Sequence, residues 1–153
     1  MFTVIDRKRF VRRRPELLAL EGWYDIGSYK FKFSCRYNDI LRCSEFLDKP
    51  EHFHSCFGKD GGHAIQPILR CLDRNWAIVY TPDQHGNFMG RAFAHWIEAR
   101  GPWAIAGVQN DFLEIDKRYG NRLNVEDICL IMKKLNVECR TSGSDTYLSS
   151  GLL

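Results

Sequence analysis

Apolar and charged residues alternate most clearly in "SYKFKF", where Tyr29, Phe31 and Phe33 fall on one side of an extended chain and Lys30 and Lys32 on the other. That period of two predicts a half-buried strand. A second β region begins at Trp76. The run "WAIVYT" (76–81), the turn "PDQHGN" (82–87) and the run "FMGRAFAHWIE" (88–98) predict a hairpin, because Pro82-Asp83 and Gly86-Asn87 supply turn chemistry between two strand-forming segments. After the break "ARGP", the run "WAIAGV" (103–108) predicts a third strand, completing an antiparallel meander.

Helical spacing frames this meander. Pro15 followed by "ELLALE" and Gly22 predicts a short helix, with proline early, where its missing N–H costs little, and glycine at the exit. "NDILRCSEFLDKP" predicts another, capped by Asn38, with Ile40, Cys43 and Leu47 on one face and Pro50 past its end. Asp111 with Glu114 suggests a capping box opening a helix over "FLEIDKRY". Asn124 caps "VEDICLIMKKL", where Ile128, Ile131 and Leu135 share a face and Lys133 and Lys134 complement the negative end of the helix dipole. The expected fold class is α+β: a single domain at 15–140 with an antiparallel sheet around 76–108 and flanking helices, a basic N-terminal arm at 1–14, and a polar C-terminal tail at 141–153.

Composition adds three constraints. With 44% hydrophobic and 27% charged residues, the 153-residue chain has the makeup of a globular domain that needs no staples. No apolar run approaches the roughly 18 residues of a membrane span, and the six cysteines follow a basic segment instead of an apolar leader, so reduced thiols and a cytoplasmic setting are expected. Six of the 22 basic residues (Arg7, Lys8, Arg9, Arg12, Arg13 and Arg14) sit in the first fourteen positions against Asp6 alone. Such an arm suits phosphates or an acidic protein surface; the plainer reading is a solvated terminus.

Candidate chemistry centres on "EHFHSCFGKDGGHA" (51–64), which holds three of the five histidines. Cys35, Cys43, His52, His54, Cys56 and His63 exceed the four ligands tetrahedral zinc needs, yet none forms the closely spaced pair of a zinc knuckle, so no metal and no cofactor are expected. A thiol nucleophile requires an imidazole partner held in one tautomer by an acceptor. Cys56, His95 and Asp111 occur in that order, and "AHWIEARGPWAIAGVQND" resembles the histidine-to-aspartate segment of transglutaminase-like and papain-like thiol enzymes. The resemblance implies Cys56 as nucleophile, His95 as base and Asp111 as orienting acid. Each also has a plain structural role open to it: a buried apolar thiol, a packed strand histidine and a helix cap.

A second pattern is Ser55-Cys56, then the hairpin carrying Gly90-Arg91-Ala92-Phe93, then Tyr119-Gly120 ahead of the last helix. It resembles a family of largely uncharacterised bacteriophage proteins. That resemblance implies a phage setting and a host cytoplasm more than an activity, and it makes Arg91 an anchor able to pin the loop around Cys56 by hydrogen bonds to its carbonyls. The leading expectation is therefore a small accessory or inhibitory protein that binds a host protein or nucleoprotein complex stoichiometrically, using aromatic and arginine anchors. A thiol-dependent hydrolase or acyl transferase is the alternative. A nucleic-acid binder, using the arm and Lys30, Lys32 and Arg36, is a third class; against it, Tyr29, Phe31 and Phe33 lie on the face opposite the lysines.

Overall fold

The computed structural model describes residues 10–42, 66–100, 107 and 109–142. Within them the chain forms α1 (Pro15–Leu18), β1 (Gly22–Asp25), β2 (Lys30–Ser34), α2 (Tyr37–Leu41), α3 (Gln66–Cys71), β3 (Trp76–Pro82), β4 (Phe88–Ile97), β5 (Phe112–Ile115), β6 (Tyr119–Gly120), α4 (Val125–Lys134) and β7 (Cys139–Thr141). The architecture is α+β. A curled, mostly antiparallel seven-stranded sheet runs β1-β2-β3-β4-β5-β7, with β6 pairing separately to β4; β5 and β7 are its parallel pair. Among the described residues no helix is long and apolar enough to cross a membrane.

Both sheet faces are covered, which explains why β3 is an almost continuous apolar run. Ala77 and Val79 join Phe31, Phe33, Ala92, Ala94, Leu113 and Ile115 on one face, beneath Leu17 of α1 and Ile128, Cys129 and Met132 of α4. Ile78 and Tyr80 join Phe88 and Phe93 on the other, beneath Ile40 and Leu41 of α2 and Cys71 of α3. A strand buried on both sides loses the polar alternation of a half-exposed one. The predicted hairpin is present in register, Ile78 facing Phe93 and Tyr80 facing Arg91. The α4 prediction also holds, Asn124 accepting from the Glu126 N–H at 2.9 Å. Its buried face, however, is centred on Ile128, Cys129 and Met132, while Leu135 is exposed.

Two expectations are corrected. "FLEI" is strand β5, not the start of a helix: Phe112, Leu113 and Ile115 are all buried and the segment pairs with Ala94–Ile97 of β4, so tertiary pairing overrides an ambiguous apolar spacing. Asn38 does not cap α2, which begins at Tyr37 with Arg36 in the cap position. The predicted strand at 103–108 and the continuation of α2 through Cys43 and Leu47 fall outside the described residues, apart from the turn residue Gly107. So does the tail from 143 onward, but Thr141, placed in that tail, belongs to β7.

Candidate functional site

His95 lies on β4, on the face covered by α2 and α3. Its ring is parallel to that of Trp76 at 3.9 Å between centroids and 1° between planes. The Arg70 guanidinium sits 4.4 Å from the Trp76 ring centroid and 4.0 Å from that of Phe93. Burial is the main cause of a pKa pushed down to about 4; Asp73 and Asp116 oppose the shift and Arg70 adds to it. A neutral, stacked imidazole is a packing element first. Asp111 serves a different side chain: its carboxylate accepts from the Ala99 N–H at 2.8 Å and from the Trp96 indole at 3.2 Å, and these bonds, that of Ala99 foremost, hold its pKa down. Trp96 neighbours His95 in sequence and so leaves β4 on the opposite face. The structure does not bring the Asp111 carboxylate to the His95 ring, and Cys56 lies outside the described residues.

This environment sets a pH signature. The unfolded histidine protonates near pH 6.5, the folded one only near pH 4. Between those values the unfolded chain binds more protons, so stability is full above about pH 6.5 and declines as pH falls toward 4. With allowance for the ring's partial exposure, the loss is about 2 kcal/mol. His95→Phe preserves the stack and removes the titration, so urea midpoints of the variant should be flatter across this interval than those of the parent. Parallel decline of both would refute the assignment.

Arg91 is 1% exposed. Its guanidinium lies 4.5 Å from the Tyr119 ring centroid, and the two residues are register partners on β4 and β6. The neighbouring pair, Gly90 and Gly120, allows a close backbone approach: a Cβ on Gly90 would stand 2.2 Å from the Asn121 carbonyl oxygen, and one on Gly120 2.2 Å from that of Met89. Gly-Arg on one strand and Tyr-Gly on the other are thus a single structural unit. The basic arm divides. Arg7, Lys8 and Arg9 are outside the described residues, and Arg12 is exposed. Arg13 is buried, donating to five backbone carbonyls around the end of α3, while Arg14 pairs with Glu16 and Glu98 and lies over the Trp96 ring. Those two arginines are committed to the fold.

Among the described residues no three His, Cys, Asp or Glu side chains gather as a metal site requires; His52, His54, Cys56 and His63 lie outside them.

Sequence reasoning did not locate a surface toward the β1 edge of the sheet face that carries His95, where Trp23, Lys32 and Tyr80 follow one another across the strands. β1 pairs antiparallel with β2 so that Trp23 stands opposite Lys32. An aromatic absent from β2's own lysine face is thereby supplied by its neighbour. Trp23 is 55% exposed, with the Lys32 ammonium 5.6 Å from its ring centroid and Tyr80 edge-on at 6.4 Å. It is shared by two grooves of about 580 and 670 Å³. One is lined by Lys32, Arg36 and Arg42, the other by Lys30, Arg122 and Tyr29. Two acids also face the first groove and both are occupied. Asp39 accepts from the Ser34 hydroxyl at 2.6 Å, and Asp83 from the His85 and Asn87 N–H groups at 2.8 and 2.9 Å. The signal was present in "GWYDIGSYK": a glycine-containing break between two short β-prone runs specifies a hairpin, and a hairpin places cross-strand partners on one face.

Compared with known protein families, curated proteins and solved structures, the chain shows no match in any of the three.

Proposed function

We propose that the chain acts by stoichiometric binding, that its contact surface is Trp23 with the two flanking grooves, and that the partner is single-stranded nucleic acid, free or displayed by a nucleoprotein complex. The observation carrying this reading is an exposed indole with cations on both sides: Lys32, Arg36 and Arg42 toward one groove, Lys30 and Arg122 toward the other. A base has a π-face to lay on the indole while its flanking phosphates reach the cations, the combination that single-strand binders use without sequence readout. Five cations, of which Arg42 pairs with Asp39 at 3.8 Å, outnumber the carboxylates of Asp39 and Asp83 and give the surface its positive sign. A double helix keeps its bases stacked inside and offers the indole nothing. The expectation of a host protein or nucleoprotein partner is narrowed here to its nucleic-acid component, and the phage setting rests on the Ser55-Cys56 and Gly90-Arg91-Ala92-Phe93 resemblance alone. A thiol-enzyme reading draws no support from a His95 ring stacked on Trp76 and an Asp111 carboxylate bonded to Trp96 and Ala99.

The test is fluorescence anisotropy with labelled oligothymidylate and oligouridylate, titrated at several salt concentrations. Base–aromatic stacking is worth ~1–3 kcal/mol, so Trp23→Ala should weaken binding by roughly 5- to 150-fold, with Trp23→Phe recovering part of the loss. Removing Lys32 or Arg42 should lower the slope of log affinity against log salt by about 0.7 each, the value for one phosphate of a single strand. Binding insensitive to Trp23, or equal affinity for duplex, would sink the proposal. Poly-glutamate bound more tightly than either oligonucleotide would reassign the surface to an acidic protein.

A further inference from the structure

Cys129 sits on the buried face of α4 between Ile128 and Met132, and Cys139 opens β7, opposite Leu113 of β5. A tight reversal joins the two elements. The chain leaves α4 at Leu135, passes through Asn136 in the left-handed region at φ 63°, and turns back so that the Val137 N–H donates to the Met132 carbonyl at 2.9 Å. This returns the chain beside its own helix and brings the two sulfur atoms to 2.8 Å, both in the same core cluster and only 6% and 2% exposed at the residue level. Separate thiols in van der Waals contact hold their sulfurs farther apart. A disulfide needs about 2.05 Å, so less than about 1 Å of closure separates this arrangement from a covalent bond.

We propose that Cys129 and Cys139 are a modification site at which the chain forms an intrachain disulfide, fastening the edge strand β7 to α4. The co-reactant is a low-molecular-weight disulfide. The Cys129 thiolate attacks one of its sulfurs, expelling one small thiolate and leaving a mixed disulfide on Cys129. The Cys139 thiolate then attacks the Cys129 sulfur, expelling the second. Two protein thiols are oxidised, one small disulfide is reduced to two small thiols, and the two cysteine protons end on the leaving groups. Cys129 is the first attacker: the hydrogen bond from Cys139 and the nearby Lys133 favour its thiolate, while the Cys139 thiol is pushed up by the same hydrogen bond and by burial. Access requires only local detachment of β7, a three-residue strand at the sheet's edge.

Cleavage after Lys133, Lys134 and Arg140 separates the two cysteines, so the bond can be read directly. The folded full-length chain is equilibrated with excess oxidised glutathione, alkylated, cleaved with trypsin and analysed by mass spectrometry. The expected species joins the peptide containing Cys129 to that containing Cys139, two hydrogens lighter than the pair and separated by reductant. Cys139→Ala should abolish it and leave a glutathione adduct on Cys129, whereas Cys35→Ala should leave it intact. The oxidised protein should also melt at a higher temperature than the reduced one. Full alkylation of both cysteines after this treatment, a bridge running preferentially to Cys35, or a bridged form that melts lower would each overturn the proposal.

Discussion

Arg13→Ala should destabilise the protein by about 3–5 kcal/mol, a large share of the ~5–15 kcal/mol by which a domain is ordinarily stable. The residue is 3% exposed. One terminal nitrogen donates to the carbonyls of Arg70, Asp73 and Trp76 at 2.7, 2.8 and 3.2 Å, and the other to those of Val11 and Cys71 at 2.7 and 2.6 Å. Arg70 and Cys71 end α3, so the guanidinium supplies the donors its last carbonyls lack and places positive charge at the negative end of the helix. Alanine would leave a cavity ringed by buried acceptors, each costing about 1–3 kcal/mol when unsatisfied and recovering part of that where water enters. For a domain of this length the melting temperature should fall by roughly 10 °C. Arg13→Lys should fall between, since an ammonium keeps the charge but cannot span five acceptors with a planar fork. The exposed neighbour is the control: Arg12→Ala should stay within about 0.5 kcal/mol. Equal melting of the Arg12 and Arg13 variants would disprove the role.

Gly90→Ala should cost about 3 kcal/mol by a different route. The added carbon would lie 2.2 Å from a backbone oxygen, that of Asn121, and backbone on a paired strand has nowhere to rotate. Relief requires moving β6 away from β4. That also breaks the Asn121 N–H bond to the Met89 carbonyl, 2.7 Å long, and lifts Tyr119 off Arg91. Gly86→Ala is the comparison: its φ of 83° also disfavours a side chain, but nothing lies within 4 Å of the new carbon, so only backbone strain of about 1 kcal/mol is expected. Thermal melts rank the two, and hydrogen exchange at the Asn121 amide reports whether β6 has detached. Protection unchanged in a folded Gly90→Ala protein would mean the strands accommodate the methyl group.

What was legible in the sequence follows the range of the forces involved. The β3–β4 hairpin, the β2 alternation, the proline-led α1 and the capped α4 are specified by neighbours in sequence, and all four are found. β5 and β7 owe their state to partners distant in the chain, so "FLEI" reads equally well as a helical turn and "CRT" has too few residues to show a period. The site divides in the same way. His95 and Asp111 were picked for their chemistry, but strand alternation sends neighbouring side chains to opposite faces, and Asp111 follows Trp96. Arg13 looked like one more charge in a basic run because the carbonyls that consume it lie near position 70. Trp23 is one of four tryptophans eligible as an anchor in the sequence, and only the pairing of β1 with β2 sets it beside the lysines.

Strand β4 divides one of its edges between two partners, Ala94–Ile97 to β5 and Gly90–Arg91 to β6. Both partners lie later in the chain, and β5 is in turn flanked only when β7 arrives. On a ribosome, therefore, the β3–β4 hairpin emerges with a ten-residue, largely buried strand whose outer edge is open until some two dozen further residues have emerged behind it. Such an edge invites pairing with another nascent copy. The delay between emergence of the hairpin and emergence of residues 98–120 should accordingly govern the yield of correctly folded protein.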